Sequence, residues 1–286
     1  MLNGIDVSKH NGVIDWAKVK KAGYNFAMIR AGYGLTKDAR FDYNAKEALK
    51  NGITIGAYWF SYAYTVSGAK KEAQKMLEVV KPYKITYPLA YDFEYDSVRY
   101  AKQKGVTITK ALASNMADAF LSTIKAAGYY PANYTNFDYL MNYFTKEVTN
   151  KYDLWLAAWR TNKTKPTGYP TLTIWQHDVL GTSEHIKRGE AHAIGSVAGI
   201  NGAVDINYCY KSYGSHKAPE TLSEYFPKCS YTGVSLVQAL ISVKANYSFN
   251  YRKKIASKNG IDNYNGTAQQ NTLLLNKLKQ GKLLKP

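Results

Sequence analysis

Eight segments of strand character recur along the first 210 residues, and this recurrence limits the folds open to the chain. Helical segments lie between several of them; the first follows an N-cap at Asp15 and ends before Gly23. Strands that alternate with helices form parallel β/α units, and eight such strands favour a closed barrel. The eight segments are residues 4–12, 25–34, 53–62, 87–95, 130–136, 153–159, 172–177 and 203–207.

The later connections between these segments are short. Between the fifth, sixth and seventh segments there is little room for full crossover helices, and Gly168 and Pro170 mark a tight loop. We therefore expect some connections without helices and some antiparallel strand pairing. The predicted fold class is α/β: an irregular TIM-like β/α barrel over residues 1–211, followed by a small all-α C-terminal module.

Two acids stand close together at the end of the fourth segment. Asp92 and Glu94 are two residues apart, so a strand would place both side chains on the same face. Burial and mutual repulsion would keep one of them protonated to an unusually high pH. A protonated acid beside an ionised carboxylate is what glycosidic bond cleavage requires. The motif alone is equally compatible with a strand that ends in a solvated acidic loop.

Polar and aromatic residues collect at the predicted strand ends, which is where barrel enzymes hold their active sites. Four of them are acids from three strands, and we expect Asp6 and Asp205 to lie at the barrel mouth with Glu94. Aromatic walls beside carboxylates suit sugars, whose C–H faces pack on rings. Trp175 is assigned to this site, whereas Trp155 is assigned to the core. The candidate residues are Asp6, Arg30, Tyr58, Tyr62, Asp92, Glu94, Tyr134, Trp159, Trp175, Gln176 and Asp205.

Six of these stretches, in the same order, resemble glycoside hydrolase family 25, the lysozymes (muramidases) of bacteria and their phages. Trp59 departs from the family pattern, in which His is frequent, and could alter a subsite. The resemblance covers roughly residues 2–210. The matching stretches are residues 4–8, 26–34, 56–62, 90–94, 174–176 and 204–207.

The resemblance implies cleavage of the β-1,4 bond between N-acetylmuramic acid and N-acetylglucosamine in peptidoglycan of Gram-positive, for example clostridial, walls. It implies that Glu94 is the general acid. Asp92 would orient the substrate's 2-acetamido group, or else Asp205 or Asp6 would activate a water; these alternatives stay open. No metal or organic cofactor is expected. The implied substrate-binding residues are Arg30, Tyr58, Tyr62, Tyr134, Trp159, Trp175 and Gln176.

Two other functions compete with this interpretation. One is a non-catalytic glycan-binding protein that keeps the barrel, although retention of all four acids argues against it. The other is a glucosaminidase or chitinase-like hydrolase, which also uses closely spaced acids on a barrel strand. Analysis of the reducing ends released from a cell wall would separate the three.

Residues 212–286, the tail, differ from the preceding segments in their helical pattern and their excess of positive charge. Residues 212–232 are predicted to be a linker, and three helices are predicted at 235–244, 248–258 and 267–279. From Ser212 to the end there are 11 Lys and Arg and 3 Asp and Glu, a net charge of +8. Residues 233–286 resemble the wall-binding modules of clostridial endolysins, and packing or dimerisation is the alternative role. The expected contacts with anionic wall polymers are Arg252, Lys253, Lys254 and Lys258.

The formal net charge of +17 favours polyanionic partners. No known module of interleaved basic and aromatic residues supports nucleic acid, and no apolar run is long enough to span a membrane. The chain starts without a signal-peptide pattern, so synthesis in a bacterial cytoplasm and release to the wall through a phage holin are expected. Cys209 and Cys229 are expected to be free buried thiols rather than a disulfide.

Overall fold

The computed structural model describes residues 1–160, 164–214 and 225–286. The chain divides into two compact units, Met1–Pro219 and Glu220–Pro286. Among the described residues, all strands lie in the first unit and the last three helices lie in the second. No helix in the described ranges is long and apolar enough to cross a membrane.

Ten strands of the first unit form one sheet, and eight of them close into a barrel. The barrel order is β1-β10-β8-β7-β6-β5-β4-β2, and β2 pairs with β1 to close the ring. All neighbouring pairs in the ring are parallel except those of β10, which is antiparallel to both β1 and β8. The expected irregular barrel with antiparallel pairing is therefore confirmed. The strands are β1 (Leu2–Val7), β2 (Phe26–Tyr33), β3 (Thr36–Lys37), β4 (Thr54–Phe60), β5 (Leu89–Asp92), β6 (Pro131–Asn136), β7 (Asp153–Ala157), β8 (Leu172–Gly181), β9 (Ala193–Ile194) and β10 (Val204–Cys209).

Side-chain hydroxyls and carboxyls begin many of the helices in the described residues. The caps at Asp15, Thr109 and Thr267 accept hydrogen bonds from backbone N–H groups of the first helical turn, which satisfies donors that the helix leaves unpaired. The helices are α1 (Trp16–Lys21), α2 (Phe41–Lys50), α3 (Val66–Val80), α4 (Tyr95–Gln103), α5 (Lys110–Ala126), α6 (Phe137–Asn142), α7 (Lys146–Lys151), α8 (Ser183–Lys187), α9 (Leu236–Ser242), α10 (Phe249–Lys258) and α11 (Ala268–Lys279).

The short late connections also agree with expectation. Between β6 and β7 the chain forms only the six-residue helices α6 and α7. Between β7 and β8 the described residues, 158–160 and 164–171, contain no helix. This side of the barrel consequently has a thinner outer layer than the side covered by α3 and α5, which pack against each other.

The barrel interior is polar at the C-terminal ends of the parallel strands, here called the upper half, and apolar at the opposite end, the lower half. Alternation along β5 turns Ala90 and Asp92 inward and Leu89 and Tyr91 outward. The outward residues pack beneath the helices in the main core. The lower interior is filled by Phe26, Met28, Tyr87, Ala90, Ala132, Trp155, Ile174, Cys209 and Tyr213. Because this apolar plug closes the bottom, the polar upper half can open only at the other end of the barrel.

The second unit is a three-helix module with its own core, and the three tail helices predicted from sequence are confirmed. Within the predicted linker, 212–232, the described residues at both ends include packed side chains. Tyr213 packs inside the barrel, while Phe226 and Cys229 belong to the core of the helical unit. Residues 215–224 lie outside the described residues. Cys209 and Cys229 are both buried free thiols, as expected.

Candidate active site

One cavity of about 250 Å³ lies in the polar upper half of the barrel, at the C-terminal ends of the parallel strands. Asp205 stands at the start of β10 rather than at a strand end, but β10 runs antiparallel and so delivers it to the same end. The structure therefore brings all four predicted acids together. The lining residues are Asp6, Arg30, Tyr58, Phe60, Asp92, Glu94, Tyr134, Trp155, Gln176 and Asp205.

Asp6 is held by two neutral amides. Its Oδ2 accepts hydrogen bonds from Asn207 Nδ2 at 2.7 Å and from Gln176 Nε2 at 3.1 Å. Each amide is itself oriented by an indole, because Trp155 Nε1 donates to Asn207 Oδ1 at 2.8 Å and Trp159 Nε1 donates to Gln176 Oε1 at 3.2 Å. An amide whose oxygen is occupied by a donor must present its NH₂ group elsewhere, here to Asp6.

Arg30 is the one cation among the described residues that line the cavity. Its Nε donates to Asp38 Oδ2 at 2.7 Å, and the Asp38 side chain is completely buried. The Asp38 carboxylate is also fixed by the backbone N–H groups of Lys9 and Arg40. Arg30 is thus largely neutralised by a partner outside the cavity, and the four acids of the site share little positive charge.

Burial raises the pKa of every one of these acids. The pKa of Asp6 rises to about 6, because burial outweighs the opposing hydrogen bonds from Asn207 and Gln176. Burial and the charge of Asp6 raise the pKa of Glu94 to about 7. The pKa values of Asp92 and Asp205 are raised well above their usual range by burial, with nearby carboxylates adding to the effect. At neutral pH Asp6 is therefore the acid most readily ionised, while Glu94 retains much of its proton.

Glu94 sits where β5 gives way to α4. It is the N-cap residue of α4, and its backbone N–H donates to Ser97 Oγ at 3.1 Å. The carboxyl is thereby carried by a fixed junction between a strand and a helix. Asp92, two residues earlier, is 4% exposed, and its Oδ1 has no hydrogen-bond partner among the described residues.

Two further cavities flank the active-site cavity. The aromatic side cavity, of about 520 Å³, shares Glu94 and Tyr134 with it and includes the predicted residue Trp159, which is 47% exposed. The basic side cavity, of about 250 Å³, shares Arg30 and Phe60 with it and includes the predicted residue Tyr62. Because they share lining residues with the active-site cavity, both side cavities adjoin it. Other residues of the aromatic side cavity are Tyr95, Asn136, Phe137, Asp138, Ala157, Ala158 and His192, and those of the basic side cavity are Lys9, His10, Tyr33 and Asp96.

The assignment of Trp175 to the site does not hold in the structure, whereas the assignment of Trp155 to the core does. Gln176 points into the barrel, so its neighbour Trp175 points out; Trp175 is 1% exposed and donates to the Ala158 carbonyl at 2.7 Å. Trp155 packs in the apolar interior of the barrel and also lines the active-site cavity. Trp59 likewise points out of the barrel, is fully buried and donates to the Gly34 carbonyl, so it reaches no subsite.

Sequence reasoning also missed Asn207, Asp38 and His192. Asn207 could have been predicted from the sequence, since it lies two residues after Asp205 and strand alternation puts both on the inner face. Asp38 follows β3 in a loop, and His192 lies just before β9; neither position carries a local signal that links it to the cavity.

Paired carboxyls at the mouth of a β/α barrel, beside aromatic walls, are the arrangement that glycoside hydrolases use. The model of "Glycosyl hydrolases family 25" matches residues 5–186. The chain therefore belongs to this family and is a muramidase, a hydrolase of peptidoglycan.

Two individual relatives are lysozymes, and a third match is shorter. Lysozyme M1 from Streptomyces globisporus is 30% identical over 217 residues, which cover 72% of this chain and 67% of that protein. The solved structure of a bacterial lysozyme from Streptomyces coelicolor is 25% identical with a TM-score of 0.56, covering 77% of this chain and 97% of that one. A different enzyme, the L-alanyl-D-glutamate peptidase of Listeria phage A118, is 40% identical over 82 residues, only 27% of this chain and 29% of that protein.

The arrangement around Asp6 predicts that Asn207→Ala moves the acidic limb of the pH–activity profile upward. The hydrogen bond from Asn207 lowers the pKa of Asp6, so its loss shifts the ionisation of Asp6 to higher pH, by about one unit for one hydrogen bond to a charged group. The measurement is kcat/KM on soluble glycan strands between pH 4 and 9. Asn44→Ala is the matched control, since Asn44 also accepts from an indole, that of Trp16, but outside the cavity. An unmoved acidic limb in Asn207→Ala would contradict the role given to Asp6.

Proposed function

We propose that this muramidase cleaves the β-1,4 bond between N-acetylmuramic acid and N-acetylglucosamine, with Glu94 as the general acid. The observation that carries the proposal is the division of labour between two neighbouring carboxyls in one cavity. The pKa of Glu94 is raised to about 7, whereas that of Asp6, held by two amide donors, is raised only to about 6. Between these values Glu94 is mainly protonated and Asp6 mainly ionised.

In this scheme Glu94 gives its proton to the glycosidic oxygen as the bond breaks. Positive charge then develops on the sugar ring, and the Asp6 carboxylate stabilises it across the cavity. Tyr58 and Tyr134, both lining the cavity, supply ring faces and hydroxyl groups for the sugar. The alternatives of Asp92 orienting the acetamido group and of Asp205 or Asp6 activating a water stay predictions, as does the choice between retention and inversion.

Glu94→Gln is the direct test of this assignment. The amide keeps the shape of the side chain but cannot donate a proton, so turnover should fall by about 10²–10⁴ with an unchanged melting temperature. Glu78→Gln, at an exposed ion pair on α3, is the matched control. The wild-type digest should show new muramic acid reducing ends. New glucosamine ends would mean a glucosaminidase, no new ends a glycan-binding protein, and near wild-type lysis by Glu94→Gln would remove Glu94 from the general-acid role.

We also propose that the C-terminal unit binds anionic polymers of Gram-positive walls. It holds a cavity of about 870 Å³ lined by Asn250, Lys253, Lys254, Ser257, Lys258 and Pro286, with no acidic residue among them. Arg252, the fourth predicted contact, is instead used inside the unit: Nη1 donates to Tyr264 Oη at 2.9 Å and Nε to the Tyr247 carbonyl. Three of the four predicted contacts therefore face one basic cavity, and Arg252 does not.

The short match to a phage peptidase supports a role other than catalysis for one segment of the chain. A peptidase and a glycosidase cut different bonds, so a shared segment of 82 residues is better explained by a common target than by common chemistry. The C-terminal unit lies outside the family match, which ends at residue 186. A tethered wall ligand raises the local concentration of substrate without new catalytic contacts. Dimerisation through this unit, and delivery to the wall through a holin, stay predictions.

Charge in the basic cavity predicts that replacing Lys253, Lys254 and Lys258 together by Gln lowers wall binding about tenfold at low salt, because each of the three exposed ion pairs contributes about 0.5 kcal/mol. The full chain carrying Glu94→Gln, labelled with a fluorophore, is bound to purified walls at low and moderate salt. The matched control replaces three exposed lysines elsewhere in the unit, Lys228, Lys244 and Lys282.

Added salt should weaken wall binding by the full chain with all its lysines. It should also narrow the difference in wall affinity between the two triple variants. Equal losses in both would mean that overall charge, not this cavity, attracts the wall. Binding that survives both salt and the triple substitution would place the wall ligand elsewhere.

A further inference from the structure

The basic side cavity contains positive charge that the catalytic scheme does not use. It adjoins the active-site cavity through Arg30 and Phe60, so a group bound there belongs to the same substrate chain. Lys9 lies two residues after the end of β1, and its Nζ lies 5.1 Å from the centroid of the Tyr33 ring. The Arg30 guanidinium carbon lies 5.5 Å from the same centroid. Two cations are therefore held at one aromatic ring beside the reacting groups.

The charge of Lys9 is not matched by a neighbouring carboxylate. Asp38 Oδ2 receives the Arg30 side chain, whereas Lys9 meets Asp38 only through its backbone N–H at 3.2 Å. Asp96 also lines the cavity but forms an exposed ion pair with Arg99. No ion pair of the Lys9 ammonium is found among the described residues, and it is exposed.

The pKa of His10 reflects the positive electrostatic potential in this cavity. Its pKa is lowered by burial first, and then by the charges of Arg30 and Lys9, with Asp38 acting in the opposite direction. Burial disfavours a charge of either sign, but the contributions of Arg30 and Lys9 show that this position repels a positive charge and attracts a negative one. The nearby rings of Tyr33 and Tyr62 add apolar faces, so the cavity suits an anion attached to a hydrocarbon or sugar group.

We propose that the basic side cavity binds a carboxylate carried by the glycan next to the cleaved bond, with Lys9 as its main electrostatic contact. This inference rests on the proposed function, since muramic acid carries a lactyl ether whose carboxyl is either free or linked to an acid-bearing peptide. A polymer of N-acetylglucosamine alone carries neither. The cavity would thus help the enzyme to prefer wall glycan over chitin-like chains.

The test compares three soluble substrates made from one preparation of glycan strands. The first carries stem peptides; the second has them removed to free the lactyl carboxylate; the third has that carboxylate converted into a neutral methylamide. Lys9→Gln removes the charge, Lys9→Arg keeps it, and Lys21→Gln removes one charge from an exposed position on α1 as the matched control.

For Lys9→Gln, the ratio of kcat/KM on carboxylate-bearing strands to kcat/KM on the neutral strands should fall about threefold to fivefold, the size of one exposed ion pair. The loss should lie in KM, Lys9→Arg should restore the ratio, and Lys21→Gln should leave it unchanged. A fall on the first substrate alone identifies the peptide as the source of the carboxylate, and a fall on the second identifies the lactyl group. An unchanged ratio, or a fall shared by Lys21→Gln, overturns the proposal.

Binding measured by calorimetry in the Glu94→Gln chain keeps this test separate from catalysis. If the wild type releases no muramic acid ends, the proposed function fails. The affinities of Glu94→Gln with and without Lys9→Gln, for carboxylate-bearing and neutral strands, still decide whether the cavity selects a carboxylate. Equal affinities for both kinds of strand in both chains would count against it.

Discussion

Four carboxyls buried in one small cavity without a matching set of cations form the constraint on which the site depends. Ionising all four would place like charges together in a medium that solvates them poorly, at a cost of several kcal/mol for each. Arg30 offers little relief because Asp38 already engages it. The protein reduces this cost with two neutral amides that favour one ionised group, Asp6, and with protonation of the others near neutrality. The constraint that makes the site costly to fold is the one that gives Glu94 a proton to donate.

The two halves of the barrel interior keep these four carboxyls together and buried. Phe26, Tyr87 and Tyr213 close the lower end with stacked and tilted rings, so water reaches the acids from one side only. The antiparallel β10 contributes Asp205 and Asn207 from its start, while the parallel strands contribute their residues from their ends. A regular eightfold β/α barrel would point the start of its last strand at the opposite, apolar end. The reversed strand thus gives the cavity a fourth acid and one of the two amides that hold Asp6.

Local signals predicted the elements well. The cap at Asp15, the eight strand segments and the three tail helices follow from residue type and spacing. The two-residue spacing of Asp92 and Glu94 predicted that both acids would face one cavity. The orientation of β7 and β8 could not be predicted, because barrel strands are apolar on both faces and lose the alternation that would separate Trp155 from Trp175. Register shifts between β7 and β8 and between β8 and β10 add to that ambiguity. The Arg30–Asp38 and Trp155–Asn207 contacts depend on how the ring closes, which no local pattern encodes.

The central claim is that Glu94 keeps its proton near neutral pH because its cavity disfavours a further negative charge. The most direct measurement is a ¹³C NMR titration of the free enzyme labelled at the Glu side-chain carboxyl carbons. The Glu94 resonance is assigned by its absence from the spectrum of Glu94→Gln. The account predicts a titration midpoint near 7, well separated from the exposed glutamates. A midpoint at the ordinary glutamate value of 4.5 would contradict it.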